Sequence, residues 1–78
     1  MAITPDDIVA ALGGPGNIRD LEGCITRLRT VVVHPDKVDE DQLYAAGAKG
    51  VISAGTAVQV VVGPEAELLA DLINDFLD

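Results

Sequence analysis

Gly23-Cys24-Ile25-Thr26-Arg27-Leu28-Arg29 runs from a glycine through the only cysteine of the chain into two of its three arginines. Residues 26–33 are rich in β-branched side chains and bounded by Gly23 and Pro35, the composition of a strand. Side chains alternate across a strand, so Arg27 and Arg29 project from one face, separated by two residue rises of about 3.3 Å. Cys24, beside the flexible Gly23, falls on the loop leading into that strand, where a partner protein can reach it. A thiol reacts as the thiolate, which nearby guanidinium charge stabilises. Arginine also suits a phosphoryl group, because its planar fork binds two oxygens at once. The stretch therefore holds the parts of a phosphorylated cysteine and its clamp. Spacing alone leaves a plainer reading open, in which Cys24 is a small buried hydrophobe and the arginines are a solvated face.

On the N-terminal side, residues 18–22 read as a short strand whose apolar positions, Ile18 and Leu21, break strict alternation. Through Gly23 it joins the arginine strand as a hairpin with Cys24 at the tip. Thr4 precedes Pro5, with Asp7 three residues after Thr4, which predicts a capping box and a helix with proline at its first position. Ile8, Val9, Ala11 and Leu12 supply that helix's apolar face, and Gly13 is placed to end it in a left-handed cap. Gly14-Pro15-Gly16-Asn17 is a turn without the lysine and hydroxyl residue of a phosphate-binding P-loop.

On the C-terminal side, Pro35 and Asp36 close the hairpin. Asp39 caps a second helix, with Gln42 three residues on and Val38 and Leu43 as a hydrophobic staple. Leu43, Ala45 and Ala46 are its expected packing residues, and Gly47 ends it. Residues 51–54 and 57–62 are β-rich runs separated by Gly55-Thr56, a second hairpin. Gly63-Pro64 opens the last helix, where Glu65 and Glu67 favour the positive end. Its stripe of Leu68, Leu69, Leu72, Ile73, Phe76 and Leu77 is expected to cover a sheet, with Asp71, Asp75 and Asp78 on the wet side. The order α-β-β-α-β-β-α predicts an α+β open-faced sandwich: a four-stranded, mostly antiparallel sheet with three helices on one face. No linker or low-complexity segment interrupts it, so residues 1–78 are expected to form one domain.

The hydrophobic fraction of 49% is supplied mainly by Ala, Val, Leu and Ile, which suffices for a small core despite one Phe, one Tyr and no Trp. A formal charge of −8 and the scarcity of aromatics argue against nucleic acid, and the charge also argues against anionic lipid. A single cysteine forms no disulfide within the chain and offers no C-x-x-C pair for thiol redox work. One histidine and one cysteine do not complete a metal site. No stretch resembles a signal peptide or an apolar span of membrane length, so a cytosolic protein without direct membrane insertion is expected. His34, the sole histidine, is expected at the surface at the far end of the arginine strand.

Leu12-Gly13-Gly14, Asn17-Ile18, Cys24-Ile25-Thr26-Arg27-Leu28-Arg29, Val38-Asp39, Leu43, Gly47-Ala48-Lys49-Gly50-Val51 and Val58-Gln59-Val60-Val61-Val62-Gly63 occur in the order and spacing of a known pattern. Along nearly its whole length the chain resembles the IIB domain of the glucose and N-acetylglucosamine class of the bacterial sugar phosphotransferase system. The resemblance implies the same fold and a phosphoryl carrier. Cys24 would accept the group from a phosphohistidine on a IIA protein and pass it to a hexose brought by the membrane IIC protein. It implies that Arg27 and Arg29 assist transfer, with the amides around Ile25, the Thr26 hydroxyl and Gln59 as further phosphate-binding candidates. No cofactor is implied, and a monomer is expected to associate with the inner face of the membrane through IIC. Family members often carry Lys-Asp after the motif strand, where this chain has Val33-His34-Pro35. Many are fused to a IIC domain, whereas Met1 and the immediate helix cap suggest a free-standing protein. A second reading keeps Cys24 structural, in a regulatory or protein-binding module of the same fold whose arginines contact an acidic partner.

Overall fold

Two-residue turns set the architecture, because each brings its flanking strands into antiparallel register at once. The computed structural model describes residues 3–77, so Met1, Ala2 and Asp78 lie outside the described residues. In the first hairpin, β1 (Ile18–Cys24) pairs with β2 (Arg27–Val32), and Cys24 opposite Arg27 leaves only Ile25 and Thr26 in the turn. In the second, β3 (Gly50–Ala54) pairs with β4 (Ala57–Val61) across Gly55-Thr56, where Gly55 takes the positive φ of 60° that the turn requires. The hairpins join through β2 and β4, from Arg27 opposite Val61 to Val31 opposite Ala57. The resulting antiparallel sheet has the order β1-β2-β4-β3. The fold is the expected open-faced sandwich. Cys24, however, is the last residue of β1 and not part of a loop, and Thr26 belongs to the turn and not to β2.

Strict alternation along β2 buries Leu28, Thr30 and Val32 and exposes Arg27, Arg29 and Val31. Val58 and Val60 of β4 point the same way as Leu28 and Val32, into a core completed by Ile8, Leu12, Leu43, Leu69 and Ile73. The Thr30 hydroxyl is buried with them and donates to the Val58 carbonyl at 2.7 Å, and among the described residues no buried side-chain polar atom lacks a partner. The broken alternation of β1 has a cause. Ile18 faces Val32 but Asp20 faces Val31, so Arg19 is an extra residue that forms a bulge. The bulge turns Ile18 and Leu21 to the same side, although they are an odd number of residues apart.

The first helix, α1 (Pro5–Ala11), starts at Pro5 as expected, but Thr4 makes no side-chain capping bond. The capping box is therefore absent, and the start rests on proline at the first helical position. At the other end Gly13, at φ 103°, closes a Schellman motif: its amide donates to Ala10 and that of Gly14 to Val9. The second helix, α2 (Glu40–Ala45), has its predicted cap, with the Gln42 amide donating to Asp39 Oδ1 at 3.0 Å. Leu43 is buried and Val38 and Ala46 pack against the core, whereas Ala45 is exposed. Between these helices Asn17, read only as a turn residue, is a buried brace. Its Nδ2 donates to the carbonyls of Leu12 and His34, and its Oδ1 accepts from the His34 amide at 2.8 Å. His34 itself is exposed, as expected.

The last helix, α3 (Ala66–Leu77), begins after a turn at Pro64-Glu65 and packs mainly on β1. It buries Ala66, Leu69, Ala70 and Ile73, while Leu68, Leu72 and Phe76 are 57%, 46% and 59% exposed. Half of the predicted stripe therefore faces solvent. Small residues share the contact: Ala66 and Ala70 lie in the buried stripe with Leu69 and Ile73, and Leu68, Leu72 and Phe76, each one position before Leu69, Ile73 or Leu77, fall outside it. Ile73→Ala is accordingly expected to lower stability by about 2–4 kcal/mol. Leu72→Ala should stay within about 0.5 kcal/mol of the parent protein, as exposed positions do. Urea midpoints of the two variants check this, and equal losses would count against the orientation of α3.

Candidate functional site

The turn that joins β1 to β2 is held under strain. Ile25 has φ 53°, a left-handed conformation that β-branched residues avoid, and its side chain is 75% exposed. Such a residue costs on the order of 1–3 kcal/mol and persists only where its surroundings over-determine it. Here the next carbonyl does so. Thr26 O accepts from the amides of both Val62 and Gly63 at 2.9 Å, which ties the hairpin tip to the segment entering α3. Gly23 completes the fixation: a Cβ there would lie 2.7 Å from Glu67 Cα and 2.8 Å from the Ala66 carbonyl oxygen. Only a residue without a side chain lets β1 pass the first turn of α3 this closely.

Cys24 is half-buried at the end of β1, directly opposite Arg27. Cys24, Ile25, Thr26, Arg27 and Arg29 line one shallow hollow of about 240 Å³. Five of the six residues singled out in the sequence are thus brought together. The sixth, Gln59, stands directly opposite Arg29 on β4, and its Oε1 accepts from Arg27 Nη1 at 2.9 Å. Gln59 lines the adjoining hollow, together with Asp20, Glu22 and Arg29. Arg29 borders both hollows. The sequence reading gave Glu22 no role and took Gly23 only as a flexible link, not as the point where α3 passes. Glu22 could have been found by counting back two residues from Cys24, since that step returns to the same face of a strand, and it stands opposite Arg29.

Chemically, the site offers one sulfur nucleophile, two guanidinium forks, a threonine hydroxyl and turn amides on an uncovered face. Among the described residues no group of three or more His, Cys, Asp or Glu is gathered to hold a metal ion. No described helix is long and apolar enough to cross a membrane.

This fold is shared with a solved structure. One domain of the PTS system IIabc component from Clostridium difficile superposes with a TM-score of 0.77, at 19% identity, over 92% of this chain and 76% of that one. The family model of the phosphotransferase system, EIIB, matches residues 6–39, which include Cys24, Arg27 and Arg29. The N-acetylglucosamine-specific EIIB component of the PTS system of Streptomyces coelicolor is 53% identical over 77 residues, covering 99% of this chain and 100% of that protein. The glucose-specific EIICBA component of Streptococcus pneumoniae is 44% identical over 73 residues, which are 92% of this chain but 10% of that protein. The chain belongs to the EIIB family of the phosphotransferase system, and its general chemistry is phosphoryl transfer in sugar uptake.

Proposed function

We propose that the whole chain is a single phosphocarrier domain in which Cys24 is the covalent carrier. The observation that carries this reading is the meeting of Cys24 with Arg27 and Arg29 in one hollow, on a face that no helix covers. Cys24 Sγ attacks the phosphorus of a phosphohistidine on IIA, so that an S–P bond forms as the P–N bond breaks. A hexose hydroxyl at the IIC site then attacks the same phosphorus: an O–P bond forms, the thiolate leaves, and the hydroxyl proton passes to a base of that site. Both steps need in-line approach and neutralised equatorial oxygens more than acid–base groups on this chain. Arg27 and Arg29 neutralise that charge, while the Thr26 hydroxyl and the amides around Ile25 add donors. The hexose is of the glucose or N-acetylglucosamine type, with the latter favoured by the full-length relative. The chain works as a monomer on the cytoplasmic side, meeting the membrane through IIC.

The test is incubation with a phosphorylated IIA protein, followed by intact-mass measurement and site mapping. One phosphoryl group is expected, on Cys24, discharged when IIC membranes and hexose are added. Persistent absence of modification by a IIA that phosphorylates other IIB proteins would overturn the carrier role. Arg27→Ala and Arg29→Ala are each expected to slow transfer about 10²-fold, equivalent to about 2.7 kcal/mol of lost transition-state stabilisation. Rapid-quench rates within a factor of two of the parent would remove the arginines from the mechanism.

A further inference from the structure

The two arginines of this face are not equivalent. Arg27 Nη1 is bonded to Gln59 Oε1, whereas among the described residues no side-chain hydrogen bond holds Arg29, which stands between Glu22 and Gln59 and borders both hollows. Arginine has only donors, so the atom of Gln59 that meets it must be the oxygen, and the orientation of the amide is fixed by that contact. Gln59 is half-buried in the middle of β4, a rigid neighbour of β2. It therefore offers Arg27 a fixed anchor that no loop residue could provide.

We propose that Gln59 is a positioning residue for phosphoryl transfer, acting through Arg27 and not by touching the phosphoryl group, so that Arg27 is a pre-set donor and Arg29 a mobile one. This rests on the reading of Cys24 as the carrier. A guanidinium already held by one N–H loses less freedom when its other donors engage the transferring group, and pre-organised donors lower barriers more than mobile ones. Arg29, unheld, follows the phosphoryl group as the acceptor changes from protein to sugar. The bond is exposed at the surface and so contributes little to stability. Its loss is thus expected to register in the transfer rate and not in the fold.

Two measurements test the assignment. The first is NMR relaxation of the arginine Nε–H groups in the unphosphorylated chain, which needs no phosphoryl transfer. Arg27 is expected to be ordered and Arg29 mobile. Gln59→Met should release Arg27 to the mobility of Arg29, and Gln59→Glu, which keeps an acceptor, should hold it. The second is a double-mutant cycle on transfer from phosphorylated IIA. Gln59→Met is expected to slow transfer about 10-fold in the parent chain but less than twofold in an Arg27→Ala background, since it acts through a group no longer there. Equal mobility of the two arginines in the parent, or rate losses that multiply in the double variant, overturns the proposal; the latter would place Gln59 on the phosphoryl group itself. If the parent chain takes no phosphoryl group, the carrier reading falls and the positioning role with it. In that case the relaxation data still report separately whether Gln59 holds Arg27.

Discussion

Cys24→Ser is expected to abolish phosphoryl relay while leaving the protein folded. The two side chains differ by one atom, and Cys24 is only half-buried, with no disulfide to lose. The fold should therefore melt within a few degrees of the parent, a shift of about 1 kcal/mol or less. The chemistry does not survive the change. A serine hydroxyl needs an adjacent general base to become a nucleophile, whereas thiolate forms readily near neutral pH. None of the residues lining the hollow is such a base, and the one histidine of the chain, His34, lies beyond the opposite end of β2. Acceptance from phosphorylated IIA should fall by at least about 10³-fold, or about 4 kcal/mol of barrier. Any phosphoserine that formed would be a dead end, because an alkoxide leaves phosphorus far less readily than a thiolate. Rapid-quench transfer with the folded serine variant decides this. Near-parental rates would mean that the acceptor is another residue.

Gly23→Ala is expected to cost the fold stability and to disturb the site at the same time. Its methyl group would stand 2.7 Å from Glu67 Cα and 2.8 Å from the Ala66 carbonyl oxygen, both backbone atoms that cannot turn aside. Either α3 lifts from β1 or the end of β1 moves, and such overpacking costs about 1–3 kcal/mol. Against the roughly 4–12 kcal/mol available to a domain of this length, that is a large fraction. The urea midpoint should drop accordingly, and transfer to Cys24 should slow even in the folded fraction, because the displaced residue is its immediate neighbour. Gly16→Ala serves as the control, since nothing lies within 4 Å of its added Cβ and its φ is not in the left-handed region. It should leave the midpoint unchanged or slightly raised. Equal behaviour of the two variants would contradict the seating of α3 against β1.

What could be read in the sequence is what short-range physics dictates. The Asp39 cap, the Gly55-Thr56 turn and the common face of Arg27 and Arg29 each follow from residues at most a few positions apart. Contacts between distant segments were not legible. Nothing near Gly23 in the chain announces that α3 crosses it, and nothing near Gln59 shows that β4 lies beside β2, so the bond to Arg27 had no local signal. The stripe on α3 was misjudged for a related reason. Periodicity gives an apolar face, but the part that is buried depends on where the neighbouring strand packs. The bulge at Arg19 hid the regularity of β1 until the register was known. Thr4 had a capping sequence and made no side-chain capping bond, so α1 starts on Pro5 and the acidic first turn of Asp6 and Asp7 instead.

The double acceptance by the Thr26 carbonyl has a consequence for the order of events during synthesis. The cysteine and both arginines leave the ribosome early, yet the amides that fix their turn belong to Val62 and Gly63. The acceptor that holds Arg27 is likewise made 32 residues after it. Until that later segment emerges, nothing holds Ile25 in its left-handed conformation, and the chain presents a thiol beside an untethered turn. The reactive geometry is therefore completed by nearly the last part of the sheet to be made, and a chain interrupted before β4 carries the signature residues without the site.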